Sequence, residues 1–566
     1  MCRKKTIVYI MTVLLLLAIA LTELILMQRE NFPFSVTVTT EGGSETIDCW
    51  RKDGCYYVFL PSCADPEQAV LTVNPLFPVS IDGRRIRNGE NCGMFPFLEE
   101  LPIVCKKWGR TYEDRVYFCQ SANLPSLYID TASGSMEYIH AEKGNAESGK
   151  LRLYSPEGSL DCSADIREFN GRGNSTWTDY EKKPYSLELS RKADLLGMGA
   201  AKKWILLANA TDASNINNKM AYDFAAKAGC AYTPECQWVD LYLNGAYTGL
   251  YLLSERNEVD SQRVDITENN SFLVSMEKDS RWNGENYDAF YTSRFHFLRI
   301  HYAGGDADWI RDMWQSVEDA IFAEDGVDPA TGKRWDELID VDSWARQYLL
   351  WDVFAEFDAG ALSKFFYYDS QKDRIYGGPV WDMDNILNIQ DLFPANILAA
   401  ERRHIWSMDE ESLFYKLYQK DSFRETVKRL YREEYRPLLL ALAETGMDQY
   451  FEQIRISASL NRIRWQNSDP EEALKKRRDY LLEHMAFLDA YWEAEEDYCV
   501  IEALGFQLRS YAVRRGESAE FLLTISENWI DFETGEPFDV TAPINWDRVL
   551  MSTDDVVFPP DEDPME

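Results

Sequence analysis

A chain of 566 residues, 45% apolar and 13% aromatic with 17 tryptophans, carries enough apolar side chain for more than one packed core. Its 95 acidic residues outnumber 59 basic ones, and the formal net charge of −36 argues against a nucleic-acid binder, because a polyphosphate is repelled. The acidic surface keeps the protein solvated and names no partner by itself.

In chain order, residues 1–30 stand apart. Arg3, Lys4 and Lys5 precede an apolar run at 6–22, followed by Glu23 and a second apolar stretch at 24–27. That is roughly the 20 residues a spanning helix needs. The run is long for a signal-peptide core and no small-residue cleavage pair follows it, so the reading is a retained transmembrane anchor. Positive charge before the run places the N-terminus in the cytoplasm and the body outside, a single-pass cell-membrane protein.

Residues 31–121 read as a β-rich, Cys-rich domain. Positions 34–40 alternate (Phe-Ser-Val-Thr-Val-Thr-Thr), and 56–60 and 70–73 are short apolar strands between Gly- and Asn-rich turns, the pattern of a small β-sandwich. Of the eleven cysteines, Cys49, Cys55, Cys63, Cys92, Cys105 and Cys119 crowd into this segment. Outside the cytosol that density implies up to three disulfides stapling a small domain. Cys230 and Cys236 make a second local pair. No C-x-x-C occurs and the five histidines lack ligand spacing, so a zinc reading is weak.

Residues 122–499 are mixed. Strands are expected at 151–154, 185–189, 204–207, 237–243 and 248–253, with a helix at 214–228 stopped by Gly229. After about residue 305 the pattern turns helical, at 344–357, 411–442 (broken or kinked at Pro437) and 470–498. A β-rich part followed by a helix-rich part is an α+β arrangement of two lobes. Residues 500–553 return to strands, at 506–512 and 519–525. The tail 554–566 has the Pro- and acid-rich composition of a disordered segment.

Three motifs carry chemistry. The first is Gly171-Arg172-Gly173-Asn174-Ser175-Thr176-Trp177, ahead of Lys182-Lys183-Pro184-Tyr185. A glycine turn lets backbone N–H groups approach phosphate oxygens, and a lysine opening the next strand adds a positive charge; a plain hairpin is the competing reading. The second is Asp358 in Glu356-Phe357-Asp358-Ala359-Gly360, at a helix end where the side chain faces a cleft or simply forms a turn. The third is Trp381-Asp382-Met383-Asp384-Asn385, whose carboxylates at i and i+2 suit a hard divalent cation or a capping turn. Glycine turn, strand lysine, helix, strands, a connector (Ser254-Glu255-Arg256-Asn257), helices, an Asp loop and a paired Asp follow one another in the chain order of a protein kinase. The HRD, DFG and APE strings are absent.

At these residues the sequence resembles the spore-coat kinase-like (CotH) family. The resemblance is carried by the GRGNSTW turn, Lys182-Lys183-Pro184-Tyr185, Lys203-Trp204-Ile205-Leu206-Leu207-Ala208-Asn209, Asn217-Asn218-Lys219-Met220, the segment 242–255 and Gly378-Pro379-Val380-Trp381-Asp382-Met383-Asp384. It implies a two-lobed atypical protein-kinase-like core flanked by small β domains. It also implies use of ATP with Mg²⁺ or Mn²⁺ to phosphorylate Ser or Thr hydroxyls of a protein substrate on the cell envelope or spore coat. By position, Gly171, Gly173 and Asn174 fall to the phosphates and Glu255 to the adenine hinge. Lys183 is the nucleotide lysine, with Lys182 the register alternative and Asp223 its partner. Asp358 is the catalytic Asp, and Asp384 or Asp382 holds the metal. Two departures from the family pattern bear on turnover. Glu356 stands where many members have Asn, and Leu362-Ser363-Lys364 stands where some supply a second metal-binding Asn. A kinase-like surface module without turnover is the alternative.

Overall fold

The alternation at the start of the body becomes the strand Phe34–Thr40, which buries Phe34, Val36 and Val38 and turns Ser35, Thr37 and Thr39 outward. It belongs to a computed structural model that describes residues 34–73, 78–107, 110–278, 288–388, 393–404, 411–505 and 508–554. The chain divides into two compact units. One takes residues up to 208 with 238–253 and 453–467; the other takes 209–237, 254–452 and 468–566.

In the first unit, a three-stranded sheet (Gly43–Asp48, Phe34–Thr40, Val70–Val73) and a six-stranded sheet share one core. Val36 and Leu71 come from the first sheet, and Val58, Ile103 and Phe118 from the second. The disulfide expectation is corrected here. Cys49, Cys55, Cys63, Cys92, Cys119, Cys162, Cys230, Cys236 and Cys499 are free thiols. Cys49, Cys92 and Cys119 instead pack as small hydrophobes inside the shared core, where burial pushes each thiol up to about 12. Cys49 donates its S–H to the Phe34 carbonyl at 3.0 Å.

The same unit contains a closed seven-stranded barrel. Its order is Ser126–Thr131, Ala146–Tyr154, Leu160–Gly171, Tyr185–Asp194, Ala200–Leu207, Ala246–Glu255 and Cys236–Leu243. Parallel pairing of Ser126–Thr131 with Cys236–Leu243 closes it, so these strands leave no free edge. Tyr185, Leu187 and Leu189 are buried while Ser186 and Glu188 between them are less so, the period two of a strand with one face in the core.

The second unit holds a five-stranded sheet in which Phe272–Glu277 lies between Phe297–Ala303 and Lys364–Asp369. The helices Ala307–Phe322 and Val341–Val353 press Trp314 and Trp344 onto Phe366, with ring centroids 5.0 and 4.7 Å from it. A second five-stranded sheet orders Ile397–Leu398, Leu508–Arg514, Tyr498–Leu504, Arg548–Ser552 and Trp529–Asp531. The whole is the expected mixture of α and β.

Several local expectations are refined. The α-helical ladder is interrupted just ahead of Pro437, as expected: the π turn Tyr431–Tyr435 separates Asp421–Leu430 from Arg436–Ala441, which takes the proline in its first turn. The helix expected at 470–498 ends at Glu493. Part of 519–525 is the 3₁₀ turn Glu520–Thr524 rather than a strand, because the Trp529 indole N–H donates to the carbonyls of Leu522 and Ser526 and holds the chain curled.

The membrane topology is also corrected: among the described residues no helix is long and apolar enough to cross a membrane. The segment 1–30 that motivated it lies outside the described residues, as does 555–566 of the acidic tail.

Candidate functional site

Two loops of the second unit bring the acids together. The helix Val341–Val353 ends at Phe354, and Ala355, at φ 45°, turns the chain sharply. A left-handed conformation costs a non-glycine residue about 1 kcal/mol, which packing must offset. Glu356 follows and accepts the Asp358 N–H at 3.1 Å. The Asp358 carbonyl then accepts the N–H groups of Ala361 and Leu362 at 3.0 and 3.2 Å, which fixes the turn. The second loop follows the strand Arg374–Gly377 and has Asp382, Leu387 and Asn388 left-handed, at φ 61°, 53° and 51°.

Backbone hydrogen bonds stitch the two loops. The Phe357 N–H donates to the Asn385 carbonyl at 3.0 Å, and the Leu387 N–H to the Phe354 carbonyl at 2.7 Å. The helix Asn217–Lys227 holds the second loop from its N-terminal turn. Asn218 Oδ1 accepts the Met383 N–H at 3.1 Å, and Asn217 Nδ2 donates to the Asp384 carbonyl at 3.2 Å. Asp358 and Asp384 are thereby on loops of one stitched framework.

The electrostatics are those of a concentrated negative site. Burial, then the charges of Asp382, Asp358 and Glu356, push the Asp384 carboxyl well above the usual carboxylate range. Burial also raises Glu356, against the pull of Lys364, whose Nζ lies 2.6 Å from Glu356 Oε2 with both side chains 1% exposed. The ammonium of Lys364 further lies over the Trp351 ring, 5.5 Å from its centroid. Glu356, the first departure from the family pattern, is therefore paired with Lys364 of the second, Leu362-Ser363-Lys364.

Among the described residues no three His, Cys, Asp or Glu side chains are already gathered as metal ligands. The donor chemistry nevertheless fits a hard divalent cation. Asp382 and Asp384 supply carboxylates, and the side-chain oxygens of Asn217 and Asn385 are buried with no hydrogen-bond partner. An orphaned buried carbonyl next to crowded carboxylates is relieved by positive charge.

The other expected residues sit as follows. Glu255, in the second unit, is buried; it accepts the Glu235 N–H at 2.9 Å and pairs with Arg263, and burial pushes its carboxyl up to about 7. Asp223, on the Asn217–Lys227 helix, pairs with Lys219 at 2.8 Å and accepts the Tyr450 hydroxyl at 3.0 Å. Gly171, Gly173, Asn174, Lys182 and Lys183 belong to the first unit. Gly171 ends its strand against Trp177, where a Cβ would fall 2.2 Å from the ring, so packing alone already requires glycine there. Gly173 is left-handed at φ 81°, and Lys143 Nζ donates to its carbonyl at 2.9 Å and to Asn174 Oδ1 at 3.0 Å.

The two lysines differ. Lys182 is 4% exposed; its Nζ donates to the Leu250 carbonyl at 2.5 Å and lies over the Tyr251 ring. Lys183 is half-buried and donates to the Trp177 carbonyl. The buried acid that feels the Lys182 charge is Asp240, which also accepts the hydroxyls of Tyr247 at 3.0 Å and Ser457 at 2.9 Å. Burial nevertheless pushes its carboxyl up to about 6.

Sequence reasoning missed Asp240 and gave Asn217 and Asn218 no role. Asp240 carried a usable signal, a lone acid inside the apolar run Trp238–Leu243. The two asparagines carried one as well, since Asn217-Asn218-Lys219-Met220 is among the strings of the family resemblance.

Residues 169–491, more than half of the chain, match the family described as CotH kinase protein. No curated protein matches the chain.

Proposed function

The chain belongs to the CotH kinase protein family, and from that premise we propose that it is an atypical protein kinase, transferring the ATP γ-phosphate to Ser or Thr hydroxyls of cell-envelope or spore-coat proteins. The observation that carries this reading is the stitched pair of loops, which holds Asp358 and Asp384 in one framework through the Phe357–Asn385 and Leu387–Phe354 hydrogen bonds. In the proposed chemistry, Asp358 accepts a hydrogen bond from the acceptor hydroxyl and aims its oxygen at the phosphate. Asp384 and Asp382 hold the cation. A bound Mg²⁺ or Mn²⁺ supplies charge neutralisation of the phosphate oxygens. Lys183, with Lys182 as the register alternative, is the lysine for the nucleotide phosphates, and Glu255 lies on the adenine connector.

A second reading is a kinase-like binding module for adhesion or envelope assembly. Lys364 favours it, because its buried amine pairs with Glu356 next to the acids, where turnover requires a metal ion.

Thermal unfolding separates the two. ATP with Mg²⁺ at a hundredfold excess over its Kd should stabilise the native protein by about 2.7 kcal/mol. Asp384→Asn should lose most of that gain while unfolding at a similar temperature without ligand. A wild-type protein that gains nothing from ATP with either metal contradicts the kinase reading.

A further inference from the structure

Arg509 lies beyond the family-matched residues, on the strand Leu508–Arg514 that pairs with Ile397–Leu398 and Tyr498–Leu504. It is 4% exposed. Its guanidinium carbon stands 4.4 Å from the Phe357 ring centroid and 5.4 Å from that of Phe393, and the two rings are 5.6 Å apart. Phe357 immediately precedes Asp358 and is one of the residues that stitch the two loops. Nη1 donates to the Leu508 carbonyl at 3.0 Å. The Asp358 charge, and more weakly that of Glu356, acts on the buried guanidinium and opposes the cost of its burial.

Burying a guanidinium costs several kcal/mol unless anions and aromatic faces compensate, and an arginine does not escape by losing its proton. Both compensations are present here: the acids and the Phe357 ring come from the loop that carries Asp358, and the second ring is Phe393. A residue that needed only to fill this space would be apolar. We propose that Arg509 is a positioning residue: clasped by Phe357 and Phe393, it fixes the Asp358 loop and sets a permanent positive charge beside the acids, so that the C-terminal sheet completes the site. The turnover half of this inference rests on the kinase reading, and the charge half does not.

The test compares the full chain with Arg509→Met and Arg509→Lys in two measurements. In phosphotransfer, Arg509→Met should lower kcat roughly tenfold or more while KM for ATP stays within about twofold, and Arg509→Lys should recover a good part of kcat. In calorimetric titration of nucleotide-free protein with Mn²⁺, Arg509→Met should bind the ion about three- to tenfold more tightly than wild type, because a repelling charge has gone. Arg509→Lys should bind as wild type does. A purely structural arginine would lower turnover and metal affinity together, and Lys would rescue neither. Unchanged kcat in Arg509→Met, a Lys variant no better than Met, or unchanged or weaker Mn²⁺ binding overturns the proposal. Should wild type transfer no phosphate, the kinase reading falls and the Mn²⁺ titration alone decides this one. Should Arg509→Met fail to fold, the Lys variant decides: kcat and Mn²⁺ affinity near wild type support the charge role, and loss of both overturns it.

Discussion

Glu356 and Lys364 show what a sequence read one position at a time leaves out. Glu356 is one departure from the family pattern, and Lys364 belongs to the other, Leu362-Ser363-Lys364. Eight positions apart across a turn, nothing in their spacing announces that they meet. Only the fold, by setting the strand Lys364–Asp369 beside the turn after Phe354, makes one residue the neutraliser of the other. Asp352, near the end of the Val341–Val353 helix, is a second buried charge, fully enclosed, with one carboxylate oxygen taking the Ala400 N–H at 3.2 Å and the other left without a partner. Burial pushes it from 3.8 up to about 7. In the fold it therefore keeps a proton that the unfolded chain releases near pH 4. The folded state binds more protons between those values, so its stability falls as pH rises from about 4 to about 7. The contribution is up to about 4 kcal/mol, and Asp352→Asn should remove it. Urea midpoints at pH 5 and pH 8 should differ less in Asp352→Asn than in wild type; an identical difference would show that Asp352 does not titrate in this window.

At the scale of elements, the strands were the most legible part of the chain. Apolar alternation located Phe34–Thr40, because one buried face imposes period two on the sequence, and the strand expected at 185–189 is the start of Tyr185–Asp194. Helix ends and irregular turns were not legible. The Trp529 indole bonds that accompany the turn Glu520–Thr524 leave no apolar periodicity to read, and Pro437 announced an interruption without its π-turn form. The helix Asn217–Lys227 was expected as an element, yet its contribution to the site was hidden in two asparagines at its start. Asn218 is 3% exposed and supplies the acceptor for the Met383 N–H. Replacing it with Ala strands that buried donor at a cost of about 1–3 kcal/mol and loosens the loop carrying Asp384. Asn218→Ala should therefore lower the urea midpoint and weaken Mn²⁺ binding together. Retained metal affinity in a destabilised Asn218→Ala would show that the helix supports the fold without shaping the metal loop.

At the scale of the molecule, the α+β class was legible because a β-rich half precedes a helix-rich half. The disulfide framework was misread, since cysteine density was interpreted through a compartment inferred from residues 1–30 rather than through the core that buries Cys49, Cys92 and Cys119. The candidate site was legible in outline: Asp358, Asp382 and Asp384 were named from motif order. The residues that surround them, Asn217, Asn218 and Arg509, were not, because those partners come from segments far apart in the chain. The family match covers residues 169–491, while the strand Leu508–Arg514 that presses on the Asp358 loop lies outside it. The central claim is that this assembly moves phosphate. Its most direct test is incubation of residues 31–566 with γ-labelled ATP and Mg²⁺ or Mn²⁺, beside Asp358→Asn. Label on the wild type, reduced by a factor of about 10² or more in a folded Asp358→Asn, is the expected result. No label on the wild type with either metal, or equal label on both proteins, would contradict it.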